Sequence, residues 1–326
     1  MNTETVNMDY DSENLHVVFG ATGAYGYAIV RKLLERGRKV RAVVRNESKA
    51  LKLFPKNVEI VRANVLDEEQ TVKACNNVSV MYVCNNFPYK DWADNFTNAI
   101  VNILKGAGGW NPIVVFPGNV YGYGKFLYNP VNESHPLNAK TKKGVLRNEI
   151  ESLILEYHHK GKIKAVIPRF ADFYGPNVTN DLYGAMFKNA IKGKASIWPL
   201  NIDTPHNFTY IDDAAEATML LVEDPSSFGK VFHVSSEVTS AHKFIDEIYH
   251  ALNTPSKIRV LSRALIRMLS PFNSNIREII ELLYEYENPY NIDDSRFMDR
   301  YPSFRHTPYD TGIKNTIEWF RKNTYS

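Results

Sequence analysis

LHVVFGATGAYGYAIVRKLLERG, residues 15–37, sets Gly20, Gly23 and Gly26 at three-residue spacing between an apolar run and an amphipathic one. The apolar run reads as a buried strand. Val30, Leu33 and Leu34 then share one helical face, and Gly37 stands where a helix C-cap is expected. Glycines between strand and helix allow a tight turn, close approach of the backbone to a ligand, and close packing of helix on strand. Both flanks have the form that a pyrophosphate-binding turn requires, with helix amides and the dipole facing the phosphates.

The same rhythm continues along the chain. His16–Phe19, Val40–Val44, Val58–Val61, Val78–Val83, Ile113–Phe116 and Ile163–Pro168 read as Val- and Ile-rich strands with amphipathic segments between them. Strand and helix in alternation predict βαβ units, hence an α/β fold with a doubly wound parallel sheet. After Arg169 the pattern loosens. Residues 177–209 are rich in Asn, Gly and Pro, Val231–Val234 reads as one more sheet strand, and 240–326 is mainly helical. The expected division is 1–170 for a Rossmann domain, with a later contribution from about 208–236, and 171–326 for a smaller, mainly helical substrate lobe interleaved with it.

Bulk properties narrow the classes. At 326 residues, 44% hydrophobic and 23% charged, the chain lies in the globular range. A net charge of +3 with dispersed Lys and Arg gives no nucleic-acid or membrane surface. Cys75 and Cys84 are too few for a disulfide framework and read as reduced thiols. The leader MNTETVNMDYDSENLH is polar and acidic, unlike a signal peptide, and no apolar run approaches the ~18–20 residues that span a bilayer. A cytoplasmic location is expected. His135, His158, His159, His206 and His233 show no ligand spacing with carboxylates, so no metal site is expected.

The turn GATGAYG, with Thr22, Ala24 and Tyr25 between its glycines, is followed in order by ANVLDEE, VMYVCNN, VYG, PRFADFYGPN and FTYIDDAAEA. This series resembles the extended short-chain dehydrogenase/reductase family, the NAD-dependent epimerase/dehydratase-like proteins, over roughly residues 15–325. Nineteen residues beyond Gly26, where an NAD-binding fold places an acid for the ribose, the chain has Arg45. A guanidinium suits a 2′-phosphate, so NADP is the expected cofactor. The resemblance implies that Asn64 and Val65 flank the adenine and Asn85 lies along the cofactor. It also implies that Pro168 and Phe170 line the nicotinamide end.

Members of this family use a Ser or Thr after the fifth strand and a Tyr-x-x-x-Lys on the next helix. Set on that frame, VVFPGNVYG and KGVLRNEIE put Pro117, Lys143 and Arg147 at those positions, with Glu151 in register with a family Glu. The usual catalytic residues are therefore absent. Three readings are open: Lys143 as acid/base with Arg147 lowering its pKa, both cations gripping cofactor ribose and phosphates without turnover, or a solvated helix start. Tyr121, Tyr123 and Tyr128 stand near the loop, where a tyrosine reaching in could donate a proton, and Tyr121 belongs to the VYG motif.

Nucleotide-sugar enzymes of the family often carry Asn where this chain has Asp172, and Arg where it has His206. An acid for an amide and a histidine for an arginine weaken a grip on a diphosphate. Asp212 and Asp213 read as helix-capping. The expectation is an NADP(H)-dependent oxidoreductase acting on a small carbonyl or sugar-like molecule, with a non-catalytic NADP(H)-binding regulatory protein as the alternative. A small-molecule substrate is the expected partner, and a homodimer the candidate assembly.

Overall fold

The computed structural model describes residues 14–179 and 182–324; the polar leader before Asn14 lies outside them. Seven strands form the central sheet: β1 (Leu15–Phe19), β2 (Lys39–Val44), β3 (Glu59–Arg62), β4 (Val80–Val83), β5 (Ile113–Val115), β6 (Lys164–Phe170) and β11 (Lys230–Val234). Their order is β11-β6-β5-β4-β1-β2-β3, and every pairing is parallel. The chain reverses direction of travel between β1 and β4, which makes the crevice at their C-terminal ends the expected ligand site of a doubly wound sheet.

Alternation along each strand builds a core on either face. Val18, Ala42, Val80, Tyr82 and Val115 pack with α1 (Ala24–Glu35) and α7 (Ile211–Glu223). Val17, Phe19, Val43, Met81 and Val114 pack with α4 (Trp92–Gly106) and α5 (Lys142–His159). With helices on both faces, β1 is buried at all five positions, its one polar residue His16 included.

A third core assembles from Tyr174, Phe187, Trp198, Phe208, Phe244, Leu283 and Phe320, all later than β6. Three two-stranded pairs frame this lobe: β7 (Asp172–Tyr174) with β10 (Phe208–Tyr210), β8 (Ser196–Pro199) with β13 (Ile258–Leu261), and β9 (Pro205–His206) with β12 (Thr239–Ser240). Helix α6 (Tyr183–Ile191) lies within the Asn-, Gly- and Pro-rich stretch that shows no clear pattern in sequence. Its Met186 and Phe187 are buried by the third core, so tertiary packing sets it.

Candidate active site

The glycine turn is close-packed against the end of β4. Gly20 has φ +69°, and a Cβ there would stand 2.7 Å from the Asn85 backbone. A Cβ on Gly26 would stand 2.4 Å from Gly20 O, because α1 begins at Ala24 and carries Gly26 in its first turn. Gly23 differs. It is exposed, and a Cβ on it would approach only Gly20 O, at 3.3 Å. As N-cap residue Gly23 supplies no side-chain acceptor to the first-turn amides of Ala24, Tyr25 and Gly26.

Beside this turn the Asn85 side-chain oxygen and nitrogen are both buried with no hydrogen-bond partner among the described residues. A glycine-lined cradle, an uncapped helix N-terminus and an orphaned amide together fit a dinucleotide laid across β1 and β4. Such a cofactor, when bound, supplies hydride transfer.

Other predicted contacts divide. Arg45 is exposed at the end of β2, and Lys49 Nζ donates to Thr22 O at 3.3 Å, which brings a second cation to the turn. Asn64 is exposed, its Oδ1 accepting from Leu66 N at 3.2 Å, while Val65 belongs to the core beneath α4. Tyr25 points inward: its hydroxyl pairs with Thr218 Oγ1 at 2.6 Å, and its ring packs on Phe170 at 5.5 Å. Pro168 is buried on β6, and its carbonyl accepts from Gly118 N at 2.7 Å.

Lys143 and Arg147 are buried, which removes the solvated-helix reading. Lys143 Nζ donates to Glu278 at 2.8 Å and Glu281 at 2.6 Å, with the Tyr89 ring 5.2 Å away. Arg147 donates to Pro117 O at 3.1 Å and lies among the rings of Trp92, Phe96 and Phe116 at 5.0–5.4 Å. Burial pulls its pKa down, against the pull of Glu151. Pro117 has no proton to give. Tyr121, also buried, pairs its hydroxyl with Tyr89 Oη at 2.8 Å, and burial pushes its pKa well up.

A buried polar chain runs beneath the loop after β5. Glu151 accepts from Arg169 Nε at 3.2 Å, and Arg169 also donates to Tyr123 Oη at 2.5 Å. Tyr123 is 2.6 Å from His233 Nε2, and His233 Nδ1 is 3.1 Å from Asp293 O. Since Arg169 can only donate, the Tyr123 proton goes to His233, whose own N–H goes to the Asp293 carbonyl. Gly118 makes room: a Cβ there would stand 2.6 Å from Arg169 Cγ.

Across the cleft His206 Nε2 meets Asp172 Oδ2 at 3.0 Å. Close by, Glu285 is buried with an unpartnered Oε1. Asp212 pairs with Arg31 at 3.2 Å, and Asp213 accepts from Thr307 N at 2.7 Å, so both tie the first turn of α7 to neighbouring elements instead of capping it.

The model of the NAD dependent epimerase/dehydratase family matches residues 16–235. The chain belongs to that family. Among curated relatives, the UDP-N-acetyl-alpha-D-glucosaminuronate decarboxylase of Bacillus cytotoxicus is 22% identical, covering 94% of this chain and 97% of its own. The dTDP-D-glucose 4,6-dehydratase of Mus musculus is 24% identical over 71% of this chain and 61% of its own. Two solved structures share the fold: Thermus thermophilus UDP-glucose 4-epimerase with NAD (TM-score 0.77, 16% identity, 95% and 99% coverage) and Bacillus anthracis dTDP-glucose 4,6-dehydratase with NAD (TM-score 0.78, 15% identity, 96% and 98% coverage).

Against the epimerase/dehydratase frame, the missed residues cluster in the lobe. Glu285, Tyr286 and Tyr290 all come from the run ELLYEYENPY, whose alternating acids and tyrosines were the available signal. Tyr89 comes from the loop after β4 and joins them at the cleft.

Proposed function

We propose that this chain is an NADP(H)-dependent oxidoreductase of the epimerase/dehydratase family acting on a small, uncharged carbonyl or sugar-like substrate. The observation that carries the reading is the glycine cradle closed on the orphaned Asn85 amide, with Arg45 exposed at the end of β2 and Lys49 tethered to the Thr22 carbonyl. Those two cations favour a phosphorylated ribose. The Asp172–His206 pair offers no fixed cation to a diphosphate, which favours a substrate without one.

A second reading, a binding protein that holds NADP(H) without turnover, is favoured by one observation. The Lys143 amine is already engaged by Glu278 and Glu281, and Pro117 can neither donate nor accept through a side chain. Fluorescence titration with NADPH and NADH, followed by steady-state turnover on a panel of aldehydes, ketones and quinones, separates the two. Tight NADPH binding with measurable turnover is the expected result. NADPH binding with no turnover on any carbonyl selects the second reading, and equal affinity for both cofactors removes the NADP assignment.

A further inference from the structure

The segment Ile280–Tyr286 crosses the seam between the lobes. Leu282 joins the core against α4 and α5, while Leu283 and Tyr286 join the core of the C-terminal lobe. Glu285, held between them, is 5% exposed, and its Oε1 has no hydrogen-bond partner among the described residues. An ionised carboxylate left so costs several kcal/mol, a cost that a bound proton or a ligand removes.

What faces Glu285 is drawn from the C-terminal ends of three strands. Tyr89 follows β4, Tyr121 follows β5, and Asp172 follows β6; Tyr284, Tyr286 and Tyr290 come from its own side. The nearby cations are engaged elsewhere: Lys143 with Glu278 and Glu281, Arg147 with the Pro117 carbonyl. Asp172 holds His206. The Tyr89 and Tyr121 hydroxyls hold each other. The Tyr284 hydroxyl lies beside Glu285 and favours its charged form, less strongly than burial and Asp172 oppose it. Oε1 itself accepts no hydrogen bond among the described residues, so Glu285 presents an open carboxyl oxygen at the edge of the sheet where doubly wound folds do their chemistry.

Resting on the reductase reading above, we propose that Glu285 is the proton donor of this cleft, in the role that the family gives to tyrosine. As hydride from the reduced dinucleotide reaches a substrate carbonyl carbon, Glu285 passes its proton to the carbonyl oxygen. The C=O π bond is replaced by a C–H and an O–H bond, the dinucleotide is left oxidised, and Glu285 is left as a carboxylate that regains a proton from water. Burial, and then the charge of Asp172, push the Glu285 carboxyl well above the usual carboxylate range, toward the matched acidity that general acid catalysis favours. Burial pushes Tyr121 the other way for this purpose, into a weaker acid than a free phenol. A carboxyl flanked by Asp172 also fits a neutral, hydroxyl-bearing substrate better than an anionic one.

Glu285→Gln in the 326-residue chain tests this by two readouts. The infrared difference between wild type and variant near neutral pH, with and without NADPH, detects the C=O stretch of a protonated carboxyl. Turnover with NADPH on the carbonyl panel, followed against pH, detects the donor. We expect a protonated-carboxyl band that the variant lacks and a rate ~10²–10⁴-fold lower, with NADPH affinity within a few-fold. In wild type the rate should fall on the alkaline side together with the band, and Glu285→Asp should recover part of it. Should the Gln variant fail to fold, Glu285→Asp serves both readouts through a shifted band and a shifted alkaline limb. An ionised Glu285 near neutral pH, or an undiminished rate in a folded Gln variant, overturns the proposal and leaves the reductase reading standing. A protonated Glu285 in a wild-type protein that turns over no carbonyl overturns the reductase reading, and the donor role with it.

Discussion

His206 Nε2 and Asp172 Oδ2 meet at 3.0 Å, with the imidazole stacked on Tyr290 at 4.6 Å and the lobe core around it. These are the two positions where the sequence departs from the nucleotide-sugar pattern, and each departure satisfies the other. With the His206 side chain 2% exposed and that of Asp172 14%, removing one partner leaves the other poorly solvated. His206→Ala should therefore cost about 3–5 kcal/mol in urea unfolding, and Asp172→Asn less, because an amide oxygen still accepts from the imidazole. A loss under about 1 kcal/mol for His206→Ala would show that the pair is not coupled.

The three glycines should separate by what they do. Gly26→Ala places a methyl 2.4 Å from Gly20 O, and Gly20→Ala combines φ +69° with backbone atoms at 2.7 Å, so both should lower the melting temperature. Gly23→Ala meets only one atom, at 3.3 Å, and is exposed toward the cradle. That variant should melt near wild type while losing roughly tenfold or more in dinucleotide affinity, read by fluorescence titration. Unchanged affinity in Gly23→Ala would move the phosphates away from this turn.

The sheet was legible because its inner strands, such as β1 and β4, are covered on both faces and read as mainly apolar runs, while Ile60 and Val61 still mark the partly exposed edge strand β3. The glycine turn was legible because its spacing is local. The roles of Lys143 and Arg147 were not. Their partners, Glu278, Glu281, Trp92 and Phe116, lie far along the chain, and a helix start rich in lysine looks solvated from sequence. Glu285 was hidden for a related reason. The Tyr–Glu alternation of residues 284–287 is too short to single it out, and only the docking of Leu282 and Leu283 into two cores buries it.

Stability should fall on the acid side through two buried histidines. Burial, then Arg169, hold His233 down to about 4; burial, then Arg38, do the same for His16. Because the folded pKa lies below the unfolded value of 6.5, the unfolded chain binds protons first. The full contribution is present above about 6.5 and is lost as pH falls toward 4. Each histidine should remove about 2 kcal/mol between pH 7 and pH 5. His233→Asn should lower stability at pH 7 by breaking the bond to Tyr123, yet show a shallower loss on acidification. A stability loss between pH 7 and pH 5 as steep in His233→Asn as in wild type, read by urea unfolding, would mean that folding leaves the His233 pKa unshifted.

Cofactor choice should depend on two cations of unequal weight. Arg45 is exposed at the end of β2, whereas Lys49 is tethered to the Thr22 carbonyl at 3.3 Å. A charge-assisted bond to a 2′-phosphate is worth about 1.5–3 kcal/mol, so Arg45→Asp should lower NADPH affinity by roughly tenfold to a hundredfold and reverse the preference over NADH. Lys49→Ala should weaken NADPH by less and leave NADH nearly unchanged. Equal losses for both cofactors in either variant would place that cation on the pyrophosphate.

Lys143 divides the two views of the helix that begins at Lys142. Its side chain is 5% exposed and bridges Glu278 and Glu281, whose side chains are 28% and 25% exposed. Removing the ammonium with Lys143→Met sets two carboxylates side by side with no counter-charge. The cost should be about 1–3 kcal/mol, below that of a fully buried pair because water still reaches the glutamates. The docking of residues 263–287 should loosen as well, visible as faster amide exchange there. Neutralising the acids as well, in Lys143→Met/Glu278→Gln/Glu281→Gln, should restore most of the lost stability, since the orphaned charges go with their partner. Lys143→Tyr supplies the family's usual residue but not its charge, so it should lose the same stability as Lys143→Met. If instead Lys143→Met leaves stability and exchange at wild-type values while turnover falls ~10²–10⁴-fold and Lys143→Tyr restores it, the lysine is the acid of this cleft. Glu285 would then lose that role.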